Sequence, residues 1–450
     1  MPADNYIISE KTIKEPPVSF LQRLRFLGPG FILSASIVGS GELIATTTLG
    51  AHAGFIAFWI IIASCLVKVA VQLEFGRHAI LHGETAMQAF NKLPGPFLKK
   101  GKWAVWSVFL LTSFKIVQLG GILGGTAIVL NMLYSGISIS IWALISVIVV
   151  ALLVFKGYYS VVEKTALVMI VGFTVLTVAS LVAVQYTAFG FSWSDILSGL
   201  EFKLPVALIG VAFGAFGITG VASDEIIAYN YWCLEKGYAA YTGPRTNDEA
   251  WQRRAKGWIS VMYLDAIVAM IVYTTVTAAF YMLGASVLYK QGLVPEGNKV
   301  IETLAAIYTH SLGPGIKTAY LIGAFFVLFS SLFASLAAWT RLYSDVFGQL
   351  GWMNFFDAAQ RKKVIAWLSF IFPALWLCMF LFINSPVLMI LSGGIVGSVM
   401  LFIVVFAALH FRYKRTTFHK PGFFYDSIFW ISVVSIFLVG VYGISRLFEL

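Results

Sequence analysis

Gly39-Ser40-Gly41-Glu42 and Gly217-Ile218-Thr219-Gly220-Val221-Ala222-Ser223-Asp224-Glu225 each set glycines and a carboxylate inside an otherwise apolar run. Glu42, Asp224 and Glu225, with the hydroxyls of Thr46 and Ser223, offer oxygen ligands only. Carbonyls freed near Gly39 and Thr219 would add to them. Oxygen donors suit Mg2+, Ca2+ or Mn2+, whereas thioether or imidazole would favour softer metals. A metal site here, built on Glu42, Asp224 and Glu225, would be a hard-cation site. Lys68 and Lys115 compete with that reading, because an ammonium inside an apolar run needs a partner. Glu42 or Asp224 could neutralise one of them as a structural ion pair, or leave a place for an anionic or zwitterionic organic solute. Both readings stay open, with Lys68, Lys115 and Asp265 as candidates for coupling or charge relay. Asp224 and Glu225 are adjacent and cannot point the same way on a helix, so Glu225 is expected to face the substrate while Asp224 pairs elsewhere.

The elements that must position these residues follow from composition. Of 450 residues, 59% are apolar and 12% charged, too little polar surface to solvate a water-soluble globule. Lipid must be the solvent, and only helices or a closed barrel satisfy the backbone there. Apolar runs near 27–50, 54–76, 103–131, 138–156, 164–187, 205–232, 258–284, 317–343, 364–383, 386–410 and 424–446 are long enough for about eleven transmembrane helices. No alternating strand pattern suggests a barrel.

The net charge of +10 resides in short loops and forms no continuous patch, so nucleic acid is not an expected partner. Basic sets alternate with uncharged loops: Arg23 and Arg25; Arg77, Lys99, Lys100 and Lys102; Lys156 and Lys164; Arg245, Arg253, Arg254 and Lys256; Arg361, Lys362 and Lys363; Arg412, Lys414 and Arg415. These belong on the cytoplasmic side, which places the N-terminus inside and the C-terminus outside. Cys65, Cys233 and Cys378 imply neither a disulfide framework nor a zinc site. Without a nucleotide loop, an activated nucleophile or a redox pair, an enzyme is disfavoured and no cofactor is expected. The expected partners are the bilayer and a small ion or solute, and a monomer is compatible with the sequence. The location is a plasma membrane, or the inner membrane if the source is bacterial.

The first and sixth spans carry the two glycine-acid stretches and are separated by five helices, so two five-helix units beginning with them have opposite orientation. Paired interrupted helices at corresponding places in two inverted halves point to a substrate site. Residues 1–20 then form a cytoplasmic tail, 21–187 the first repeat, 205–410 the second and 424–446 a peripheral eleventh helix. Smaller features are also readable. Thr246 and Glu249 have capping-box spacing before a short basic surface helix at Trp251–Lys256. Glu74 and Arg77 have the spacing of a surface pair. Asp265 opens the seventh span, where its residue type and place read as a plain N-terminal charge. Gly393 and Gly394 either widen the cavity or permit close packing.

Gly28-Pro29-Gly30-Phe31, the broken segment after it, Gly125-Thr126-Ala127-Ile128-Val129-Leu130-Asn131, and Asp265 through Ala279 occur in an order and spacing that resembles the Nramp (natural resistance-associated macrophage protein) family. The resemblance implies an all-α integral membrane fold of the LeuT/APC type, an inverted five-plus-five repeat with discontinuous helices 1 and 6, working by alternating access as a divalent metal transporter. It also exposes departures. The family's metal-binding DPGN aligns with Gly39-Ser40-Gly41-Glu42, and its sixth-helix methionine and histidine fall near Ser223 and Glu225. The acids that the family uses to move protons align near Leu119 and Ile122, which leaves that coupling unsupported. Gly393 lies where the family has a glutamine, and Ser330 with Ser331 keeps its small polar pair. For Asp265 the resemblance implies a helix-positioning or pathway role as the alternative to a plain N-terminal charge. The expected cargo is Mg2+ or Mn2+, with an organic or anionic solute on the same scaffold as the alternative.

Overall fold

The computed structural model describes residues 4–155, 159–246, 248–415 and 422–447. Helices occupy every apolar run. Eight are long and apolar enough to cross a membrane, and the bent pair in the first run makes a ninth. Two more, Ile139–Phe155 and Tyr159–Val184, fill the fourth and fifth runs. Apart from a two-stranded hairpin pairing Phe97–Leu98 with Gly101–Lys102, the described chain is helices, turns and loops.

Three spans are interrupted. The first consists of Pro29–Ile37 and Thr47–Ala53, with Gly39 at φ −71°, ψ −105° between them, and Pro29–Ile37 is bent by 41° from Gly41–Ala53. The third breaks at Lys115, between Trp103–Phe114 and Ile116–Leu133. The sixth runs Ile209–Ile218, unwinds, and resumes as Ser223–Lys236. Gly220 there has φ +62°, a left-handed conformation that glycine adopts without strain.

The remaining spans are Phe58–His82, Glu249–Leu283, Lys317–Gln349, Ala358–Ile383, Pro386–His410 and Phe423–Leu447, the second and seventh to eleventh in order. Their packing has a pattern. The first span lies on the fifth and the sixth on the tenth; the first also touches the seventh and the sixth the second; the third lies on the tenth and the eighth on the fifth. Adding five to each number, cyclically, turns one contact of each pair into the other. The sixth and tenth spans approach closely, since a Cβ on Gly217 would collide with the Gly394 carbonyl and one on Gly394 with the Gly214 carbonyl.

Several sequence expectations are corrected. The seventh helix begins at Glu249, capped by Asp248, whose carboxylate accepts from the Trp251 N–H at 2.7 Å, not by Thr246. Trp251–Lys256 is its first turns, not a separate surface helix. Asp265 lies in the middle of that helix, and both its oxygens hold the start of the first span, accepting from Gly28 N–H at 2.8 Å and Gly30 N–H at 2.6 Å. It therefore positions a helix and is not a plain N-terminal charge. Glu74 and Arg77 are both about 1% exposed. They sit in a buried network with Arg412, 2.8 Å from Glu74, and the Tyr425 hydroxyl, because the eleventh span covers the end of the second. The loop after the seventh span folds into a further helix, Val300–Leu312.

The tail is not loose. Tyr6 donates to Glu235 at 2.8 Å, Lys14 N–H to the Tyr241 carbonyl at 3.0 Å, and Arg361 reaches Asp4 at 2.6 Å. Arg341 binds the same Glu235 at 2.6 Å, Arg415 binds Glu84 at 2.7 Å, and Lys92 also binds Glu84. Arg361 thus ties a distant basic connection to the tail, and Tyr6 of the tail shares Glu235 with Arg341 of the eighth span. Glu84 lies in a loop outside the spans. Burial alone would raise its carboxyl, but hydrogen bonds from His78 and Lys92 outweigh burial and hold it well below the usual carboxylate range.

Candidate functional site

Breaking a helix in lipid leaves carbonyls and N–H groups that other spans must satisfy. At the first break, the eighth span does this with hydroxyls. Ser331 donates to Ser36 O at 2.8 Å and Ala35 O at 3.3 Å, and Ser330 donates to Ala35 O at 3.4 Å. Gly39 has no room for a side chain, since a Cβ would collide with Ser331 and stand 2.8 Å from the Val327 carbonyl. At the second break the second span contributes. Ser64 donates to the carbonyls of Phe216 and Thr219 at 3.0 and 2.8 Å, and Lys68 Nζ donates to the same two oxygens.

Glu42 joins the two breaks. Fully buried, it accepts from Thr46 Oγ1 at 2.9 Å and from the Gly220 N–H at 3.0 Å. The Thr46 and Thr219 hydroxyls meet at 3.2 Å. Asp224 forms a buried ion pair with Lys115 and accepts from Trp339 Nε1 at 3.0 Å. Glu225, one residue on, turns its carboxylate back to accept from Ala222 N–H at 2.7 Å, closing the first turn of the helix that restarts there.

The structure brings Glu225, Asp224, Gly41, Gln118, Ser36 and Ser335 around one small cavity, about 20 Å³ wide for the centre of a water molecule. About 10–15 Å³ holds one water, so this space admits a water or a small ion, not an organic solute. Glu42 lies outside that lining, and Ser223 Oγ is buried beside it without a hydrogen-bond partner. Among the described residues no three His, Cys, Asp or Glu side chains group so as to hold a metal. The expected triad of Glu42, Asp224 and Glu225 is thus not assembled around one point. Glu42 is held by the opposite break and Asp224 by an ammonium and an indole. Glu225 forms no salt bridge among the described residues.

Sequence reasoning missed Gln118. It sits in the third span, and its Oε1 is buried with no hydrogen-bond partner among the described residues. It packs directly against Gly393: a Cβ there would lie 2.7 Å from Gln118 Oε1. Gly393 therefore neither widens an empty space nor merely lets backbones touch; it makes room for an amide from the facing helix. The signal was available, since an uncharged polar side chain deep in an apolar run is costly without a partner. Lys115 Nζ lies on the same side, about where a Gly397 Cβ would be 3.6 Å away.

With this geometry in hand, comparison with known proteins gives a consistent result. Residues 30–446 match the family described as natural resistance-associated macrophage protein-like. A divalent metal cation transporter MntH of Caldanaerobacter subterraneus is 25% identical over 297 residues, 64% of this chain and 65% of the relative, slightly under two thirds of its length. An MntH of Staphylococcus aureus is 23% identical over 347 residues, covering 77% and 71% of the two chains. Among solved structures, a manganese transporter of Eremococcus coleocola superposes with a TM-score of 0.69 at 15% identity, over 98% of this chain and 91% of that one. MhsT in complex with L-phenylalanine superposes at 0.56 with 17% identity, over 96% and 100%. Those structural likenesses establish the fold. The family match spans most of the chain: the protein belongs to the Nramp family and has an all-α fold with multiple membrane-spanning helices.

Proposed function

We propose that this chain carries a hard divalent cation, Mg2+ or Mn2+, by alternating access, with residues 21–187 and 205–410 as inverted repeats and 424–446 peripheral to them. The span contacts related by a shift of five support that division. The gathering of basic side chains on the tail supports a cytoplasmic N-terminus and hence, across an odd number of spans, a C-terminus outside, in a plasma membrane.

The observation that carries the cargo reading is Glu225. With every group ionised, Glu42, Asp224 and Glu225 face two lysines, Lys68 and Lys115, which leaves one carboxylate in excess. Neither Glu42 nor Glu225 forms a salt bridge among the described residues, but Glu42 is held by Thr46 and the Gly220 N–H, whereas Glu225 lines a cavity of ionic size beside the unpartnered carbonyl of Gln118. One carboxylate, one amide oxygen and the hydroxyls of Ser36 and Ser335 cannot strip a divalent ion of all its water. Mg2+ keeps several waters in such sites, so this sparse set suits a partly hydrated ion in a state where the cavity is wider than its present size of about 20 Å³. Asp224 also lines the cavity but is held by Lys115 and Trp339, and Glu42 acts from behind it, fixing the backbone of the second break. The organic-solute reading draws on Lys115, but that ammonium is committed to Asp224 and the cavity is too small for such a molecule. Opening the cavity would be needed to accommodate one.

The purified protein should be stabilised saturably by Mg2+ or Mn2+ in thermal unfolding, and Glu225→Gln should weaken that response at least tenfold while leaving the metal-free melting point near its original value. No response to any divalent ion, with a response to an organic anion or amino acid, would replace the cation reading by the solute one.

A further inference from the structure

Ser64 and Lys68 end on one turn of backbone in the sixth span. The Lys68 ammonium is fully buried. It donates to Phe216 O and, at 2.8 Å, to Thr219 O, and stands 4.7 Å from the centre of the Phe216 ring. These oxygens close the C-terminal end of the half-helix Ile209–Ile218. The peptide unit joining Thr219 to Gly220 is held from both ends: its oxygen accepts from Lys68 and Ser64, and its N–H donates to Glu42 at 3.0 Å. A positive and a negative side chain thus face opposite ends of one peptide dipole, in the sense that stabilises both.

The C-terminal end of a half-helix carries partial negative charge and unpaired carbonyls, and in broken-helix transporters such ends coordinate coupling cations. Phe216 O, Thr219 O and the Ser64 hydroxyl form that kind of oxygen cradle here, with Glu42 close behind. A lysine from the neighbouring span already stands in it. We propose that Lys68 is a built-in cation occupying the place of a free monovalent coupling ion, so that the chain folds and works without sodium or potassium at this break. The inference rests on the chain being a transporter and not on which ion it carries, so failure of divalent binding leaves it standing.

The test is chemical rescue. Lys68→Ala removes three methylenes and the ammonium, a fragment matched by n-propylammonium. In full-length purified protein, thermal unfolding of the wild type should be the same in Na+, K+ or N-methylglucamine salts of equal ionic strength. Lys68→Ala should melt lower and recover at least half of the loss in millimolar n-propylammonium, but not in tetramethylammonium, which has no N–H to donate. Lys68→Met, which fills the space without charge, should melt lower and respond to neither amine. Saturable stabilisation of the wild type by Na+ or K+ overturns the proposal, as does Lys68→Ala responding equally to both amines. If Lys68→Ala gives no folded protein, Lys68→Met decides: melting at the wild-type temperature shows that the charge is dispensable and the proposal wrong, whereas a lowered melting point untouched by either amine upholds it.

Discussion

Replacing Asp224 with asparagine tests how the charges are partitioned. The Lys115–Asp224 pair is buried, with side chains 1% and 10% exposed, and Trp339 adds an N–H to the carboxylate at 3.0 Å. Asparagine keeps the shape and an oxygen for Trp339, so the main loss is the charge facing Lys115. Breaking a buried pair from one side leaves an uncompensated ion and costs about 3–5 kcal/mol, while removing both charges together is often close to neutral. Asp224→Asn should therefore lower unfolding free energy by about 3–5 kcal/mol. Lys115→Met should cost a comparable amount. The double variant should cost less than either, giving a coupling energy larger than either single loss, at least about 3 kcal/mol, at or above the upper end for contacting residues. The assay is a double-mutant cycle from equilibrium unfolding of the detergent-solubilised protein. Strict additivity, or Asp224→Asn within about 1 kcal/mol of wild type, would falsify the assignment of Asp224 to Lys115.

Gln118→Leu should separate binding from folding. An unpartnered buried acceptor costs about 1–3 kcal/mol, so stability should hold or rise while Mg2+ or Mn2+ affinity falls about tenfold, or ~1.4 kcal/mol; unchanged affinity would remove Gln118 from the site. Gly217→Ala drives a Cβ into the Gly394 carbonyl and within 2.6 Å of Ser398 Oγ, whereas Gly210 on the same half-helix has nothing within 4 Å of that position. The first change should cost about 1–3 kcal/mol by overpacking and the second should be neutral or stabilising. Equal melting points for the two would mean that the sixth and tenth spans are not packed this closely.

The sequence carried the spans and the positions of the first and sixth breaks because both are local signals: long apolar runs, and glycine beside acid where neither is cheap. It also placed Asp224 and Glu225 in different directions from adjacency alone. Partners were not legible, since they are set by which spans meet. Nothing local distinguishes Lys68, which takes two carbonyls, from Lys115, which takes a carboxylate. Glu74 and Arg77 have the spacing of a surface pair and become a buried one only when Arg412, 338 residues from Glu74, arrives. Asp265 shows the same limit, because its role is fixed by two N–H groups of Gly28 and Gly30 more than two hundred residues away. Gln118 was readable in principle from its polarity, but its relation to Gly393 needs the facing helix.

The pairings also set how many of the buried acids are free to meet a cargo. A carboxylate at mid-membrane costs about 2.5–3.5 kcal/mol on insertion scales, which makes every acid there look like a ligand when sequence is read alone. In this chain the acids do not stand alone. Lys115 comes with Asp224, and Lys68 meets Glu42 through the Thr219–Gly220 peptide unit. Two of the three carboxylates are thereby drawn into holding the second break in shape, and adding lysines to the core removes acids from the pool that could touch a cargo. The two intramembrane lysines and the small number of acids left free are in this sense linked. The carboxylates of Glu42 and Asp224 hold the architecture, and of the two acids lining the cavity Glu225 is the one with no lysine bound to it among the described residues, a group that with the neutral oxygens around it selects by charge and size.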